Sequence, residues 1–109
     1  MSVLLIESEI GRLAHLSAAL RAAGISVIAV QGIADVERWP VGELVVTEAD
    51  NFTPWWMLVG ALGVIVLADT PEQGCDACKC GATAWIPRVC HPSELIVAIR
   101  DLDVNAPTS

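Results

Sequence analysis

Five short apolar runs, separated by segments long enough for helices, constrain this chain more than any other feature. They are VLLI (residues 3–6), SVIAV (26–30), LVVT (44–47), GVIVLA (63–68) and AWIP (84–87). A run that stays apolar, instead of alternating with polar residues, suits a strand buried on both faces of a parallel sheet. Between the runs the periodicity changes to that of helices. Ile10, Leu13, Leu16 and Leu20 recur at helical spacing up to Ala23, and Gly24 is the stop. IADVERW, after Gly32, has room for only a short helix before Pro40. Thr53 and Pro54 supply an N-cap hydroxyl and a first-turn proline for a helix to about Leu62, closed by Gly63. Pro71 to Cys80 predicts a further helix ending at Gly81. His91-Pro92 opens the last one, with Leu95, Ile99 and Leu102 on one face. Strands alternating with helices in this way predict an α/β domain over residues 1–102, a doubly wound parallel sheet with right-handed crossovers. DVNAPTS, residues 103–109, is left over as a polar tail or linker.

Composition agrees and excludes several function classes. With 54% hydrophobic and only 17% charged residues, the 109-residue chain is a single domain with a large core for its size. The formal net charge of -7 repels phosphate backbones and anionic lipid, so direct nucleic-acid binding is not expected. MSVLLIESE has no basic region ahead of its apolar residues and reads as a first strand, not a signal peptide, which makes a cytoplasmic location the expectation. Residues 51–68 carry no charge, yet Pro54, Gly60 and Gly63 divide them into two buried elements and argue against a membrane span.

In open parallel sheets, functional groups collect beyond the carboxyl ends of the strands, near the point where strand order reverses. Glu7, Ser8 and Glu9 follow the first strand, Glu48 and Asp50 the third, Ala68 and Asp69 the fourth, and Arg88 the fifth. All of them are expected on one edge.

Acids after the first and third strands, with a cation after the fifth, resemble the receiver domains of bacterial response regulators. CGATAWIPRVCHPSELIVAIRDL (residues 80–102) is similar to that family's G-A-x-x-Y-L-x-K stretch followed by P-x-E-L and an amphipathic helix. The lack of a proline after Arg88 and the Pro92-x-Glu94-Leu95 spacing resemble NarL/LuxR-type transcription regulators. The resemblance implies a flavodoxin-like (βα)5 fold and a role in two-component signalling and phosphorelay that regulates transcription. It also implies a homodimer and a sensor kinase or other signalling protein as partners. DNA would be reached only through a separate helix-turn-helix segment, absent from this sequence.

The family's chemistry needs acids that hold Mg²⁺, an aspartate that attacks the phosphoryl donor, a hydroxyl on the fourth strand and a lysine on the fifth. Here Glu7 and Glu9 fit the acidic cluster, but Ser8 stands where the principal metal-binding aspartate belongs, so Mg²⁺ binding is expected to be weak. Ala68 replaces the hydroxyl and Arg88 the lysine. Glu48 takes the phosphoacceptor's place when counted from the start of the strand, whereas counting back from Pro54 selects Asp50. Glu48, one methylene longer than aspartate, would imitate a phosphorylated aspartate and pair with Arg88, whose planar fork suits a carboxylate. Trp85 occupies the switch-aromatic position. The expectation is a degenerate receiver acting as an interaction module, without catalysis or a resident cofactor. The alternative is a working receiver phosphorylated at Asp50.

The cysteines suggest a further alternative, a metal or redox sensor. Cys75, Cys78 and Cys80 with Cys90-His91 offer a C-x-x-C-x-C set and two more ligands for Zn²⁺. On a helix advancing about 100° per residue, however, Cys80 points away from the face shared by Cys75 and Cys78, so one ion cannot collect all three. Buried, inert thiols are the expectation instead. Trp55 and Trp56 begin a nearly all-apolar helix, which calls for a partner's cover or extra core packing.

Overall fold

In the computed structural model, which describes residues 2–38, 40–52 and 60–105, each apolar run forms a strand. These are β1 (Ser2–Ile6), β2 (Ser26–Val30), β3 (Leu44–Glu48), β4 (Gly63–Ala68) and β5 (Ala84–Pro87). Among the described residues the helices are α1 (Ile10–Ala22), α2 (Pro71–Lys79) and α3 (Pro92–Asn105). The strands make one sheet in the order β2-β1-β3-β4-β5, with every neighbouring pair parallel. Strand order therefore reverses between β1 and β3, and the crevice at their carboxyl ends lies where such sheets place their chemistry.

Side chains alternate across the sheet, and both faces are buried. Val3, Leu5, Leu44, Val46, Ile65 and Leu67 pack against Leu16 and Leu20 of α1 and Leu95 and Ile99 of α3. On the opposite face Leu4, Ile6, Val45, Val64, Val66 and Ala68 meet Ala61, Ala77 and Ala82. This double burial is why the strand segments read as unbroken apolar runs. Caps fix where the helices begin and end. Glu9 accepts backbone N–H bonds from Gly11 and Arg12 at the start of α1, Thr70 accepts from Gln73 at the start of α2, and Gly24 turns the chain after α1 with φ 83°.

Three expectations are corrected. The short helix expected within IADVERW is a single 3₁₀ turn, Ile33–Asp35, after which Val36 is already extended; seven residues before Pro40 are too few to nucleate an α-helix. β3 continues one residue further, to Glu48. The expected tail at 103–109 does not begin at 103, because α3 continues to Asn105; no glycine or proline interrupts residues 103–105. Residues 106–109 lie outside the described residues, as does most of the helix expected from Thr53, with Trp55 and Trp56.

Gly74, in the middle of α2, is explained by Trp85 on β5. A Cβ at position 74 would come within 2.1–2.6 Å of Trp85 ring atoms, so the helix can lie on the indole only because no side chain intervenes. Gly74→Ala would ordinarily stabilise a helix by about 1 kcal/mol, but here overpacking should destabilise the domain by about 1–3 kcal/mol. Thermal denaturation checks the sign, and Trp85 emission should shift to the red as the ring is displaced.

Candidate functional site

β1 and β3 are adjacent and in register, Ile6 opposite Thr47, so the next residues, Glu7 and Glu48, emerge side by side. Arg88 leaves the end of β5, its backbone N–H bonded to the Ala68 carbonyl oxygen at 2.8 Å. To reach β3 its side chain must cross the end of β4, where the terminal residue, Ala68, carries only a methyl group. The guanidinium then meets both acids. Its Nη2 lies 2.5 Å from Glu7 Oε1 and 2.7 Å from Glu48 Oε2, and its Nε donates to Glu7 Oε2 at 3.3 Å. The side chains of Glu7, Glu48 and Arg88 are 0%, 5% and 19% exposed.

The remaining bonding capacity of the carboxylates is taken up locally. Ser8 donates its backbone N–H to Glu48 Oε1 (3.1 Å) and its hydroxyl to Glu48 Oε2 (3.0 Å). Asn51 Nδ2 donates to Glu48 Oε1 at 2.7 Å from the 3₁₀ turn Ala49–Asn51. Glu7 Oε1 also accepts the Glu9 backbone N–H at 3.2 Å and lies 3.6 Å from Arg12 Nη1. Asp69, more exposed, stands 3.8 Å from Arg88 Nη1. Arg12, Asn51 and Asp69 thus complete a pocket whose centre was legible in the sequence. Asn51 had a weak signal, a side-chain amide three residues after a strand-end acid. Arg12 had none beyond its place in the first turn of α1.

The Arg88 pKa is raised above its ordinary value, first by the side-chain hydrogen bond to Glu7 and then by the charges of Glu7, Glu48 and Asp69, against the opposing effect of burial. The guanidinium is therefore a permanent resident cation. A divalent ion does not fit beside it. Glu7 is engaged by Arg88 and Arg12, the Ser8 hydroxyl is directed at Glu48, and Glu9, expected in the acidic cluster, instead turns its carboxylate to cap α1. A hard cation requires several free oxygens. Among the described residues no group of three or more His, Cys, Asp or Glu side chains could hold a metal ion.

Asp50 is exposed in the 3₁₀ turn beyond β3, beside a shallow groove with Phe52, Gln73 and Cys80. Ala68 is buried, and Trp85 is half-buried against α2. The expectation of buried thiols is overturned, since Cys75, Cys78 and Cys80 are exposed and Cys90 is half-buried. α2 buries Gly74 and Ala77, which leaves the neighbouring cysteines turned outward and Cys80 at the C-cap. His91 is not brought to them. Its backbone N–H bonds to Glu94 and its Nδ1 to Ser93, within the first turn of α3.

No protein-family model matches the sequence, and no curated protein matches it. Solved structures do. A two-component response regulator from Clostridium difficile superimposes with a TM-score of 0.78 at 12% identity, covering 99% of each chain. An atypical orphan response regulator, described as revealing a phosphorylation-independent regulatory mechanism, gives 0.75 at 20% identity over 94% of each chain. HP1043, an orphan response regulator of H. pylori, gives 0.74 at 19% identity, over 94% of this chain and 95% of that one. The fold is that of receiver domains. No helix among the described residues of this receiver fold is long and apolar enough to cross a membrane.

Removing one partner from a buried ion pair leaves an uncompensated charge, at a cost of about 3–5 kcal/mol. Arg88→Ala should lose stability of that order in chemical denaturation, because two buried carboxylates would then face each other. Arg88→Lys, a point charge unable to hold Glu7 through two nitrogens, should fall between. The Cys90 thiol pKa is pushed up by burial and then by the charge of Glu94. Alkylation near neutral pH should therefore label Cys75, Cys78 and Cys80 first and Cys90 last, as read by peptide mass mapping.

Proposed function

We propose that this chain is a degenerate receiver domain that works as a signalling and protein-interaction module without accepting a phosphoryl group. The observation that carries the reading is the single guanidinium of Arg88, in contact with Glu7 and Glu48 at once. Glu48 is the phosphoacceptor equivalent in this reading. Its carboxylate, one methylene further from the backbone than an aspartate's, supplies a fixed negative group to the cation and so imitates the paired state that phosphorylation would create.

The surroundings favour this assignment over phosphorylation. Phosphoryl transfer requires a positioned nucleophile and a cation cluster at the transferring oxygens. Glu48 already accepts bonds from Ser8, Asn51 and Arg88. Ala68 has no hydroxyl to offer, and Asp50 is exposed, outside the Arg88 bridge. Trp85, at the family's switch position, is held on Gly74. The module is non-catalytic in this reading. It acts as a homodimer or through a signalling partner in the cytoplasm, and it regulates transcription through a helix-turn-helix segment outside the sequence given.

Incubation with acetyl phosphate and Mg²⁺, followed by intact mass measurement, tests the proposal. The expected spectrum is unchanged, while a receiver with a working pocket, treated in parallel, gains a phosphoryl group. A stable mass increase that disappears in Asp50→Ala would overturn it.

A further inference from the structure

Three exposed thiols on and just after one short helix play no part in the carboxylate pocket. We propose that Cys75 and Cys78 form a reversible redox pair that closes to an intrahelical disulfide and thereby shifts α2 against Trp85.

The two residues lie one turn apart on α2, and both are exposed. Side chains three residues apart on an α-helix have Cβ atoms about 5–6 Å apart, whereas a disulfide needs about 3.5–4.5 Å. Closure therefore requires the turn between them to distort away from regular helix. The hydrogen bonding at the end of α2 is already irregular: the Cys80 N–H is shared between the carbonyls of Asp76 and Ala77, and the Gly81 N–H bonds to the Cys78 carbonyl three residues back. A helix of nine residues is also too short to resist such a change by its own cooperativity. Cys80 is the cap residue beyond the helix and Cys90 is half-buried on another segment, which leaves Cys75 and Cys78 as the pair.

The chemistry needs only a low-molecular-weight disulfide as oxidant. One cysteine thiolate attacks a sulfur of the oxidant, forming a mixed disulfide and releasing one thiol. The second cysteine then displaces the remaining half, so the Cys75–Cys78 sulfur–sulfur bond forms, the oxidant's bond is reduced by two electrons, and both protons end on the released thiols. A strained, exposed disulfide of this kind is easily reduced again.

Two contacts carry the change inward. Gly74 adjoins Cys75 and lies directly on the Trp85 ring. Gln73 accepts the backbone N–H of Asp69 at 2.9 Å, and Asp69 faces Arg88.

The whole chain is treated with oxidised glutathione, and thiols are counted before and after, with peptide mapping of the product. The expected result is a monomer that loses two of its four thiols, with Cys75 joined to Cys78, together with a change in tryptophan emission. Dithiothreitol should reverse both, Trp85→Phe should remove the emission change, and Cys75→Ser or Cys78→Ser should abolish closure where Cys80→Ser and Cys90→Ser do not. Mixed glutathione disulfides alone, disulfide-linked dimers or another pairing would overturn the proposal. Closure without any emission change would overturn its link to Trp85.

Discussion

One cation between two buried acids governs the edge of this sheet. Glu7 and Glu48 emerge side by side because β1 and β3 are adjacent and in register, an arrangement that would repel itself without the guanidinium. Burying charge is tolerated only where partners are complete. Here Ser8, Asn51, Arg12 and the Glu9 backbone supply the rest. The loop after β1, the end of β3 with its following turn, and the chain after β5 are thereby tied to one point. These three segments are joined by groups the chain itself supplies.

The fold was legible because strands buried on both faces leave a signal that survives in a single sequence, and glycines and prolines mark the helix ends around them. Legibility failed where the outcome depended on chain length or on distant groups. IADVERW has helix-forming residues but too little chain before Pro40, so a 3₁₀ turn took the place of a helix. Glu9 belonged by position to the acidic cluster, yet the backbone donors of Gly11 and Arg12 are nearer and more numerous than anything the pocket offers. Such competition between a local cap and a tertiary site is invisible until the helix has been placed.

The cysteines failed for a different reason. Free cysteine behaves as a small hydrophobe, and that property predicted burial. What decides burial on α2 is phase, and the phase is set by Gly74, the position that can lie against the Trp85 ring. Gly74 and Ala77 turn inward as a consequence, and the thiols one residue further round turn out. An indole on β5 thus determines which side chains of α2 meet solvent. In the carboxylate pocket, by contrast, the residues that matter most follow directly from their places at the strand ends.

A buried ion cluster is a poor way to gain stability, since apolar replacements of similar volume are often neutral or better. Its presence at this edge therefore calls for a reason other than folding energy. Geometry is one: a guanidinium held by two nitrogens on Glu7 and by a third contact on Glu48 admits few arrangements, so it fixes the directions of the surrounding loops as an apolar contact would not. In the proposed reading the planar fork of Arg88 gives the pocket a defined shape where a mobile point charge would give responsiveness. Under that reading, a surface recognised in one form gains from such a shape, and a switch that must alternate between two forms would lose by it.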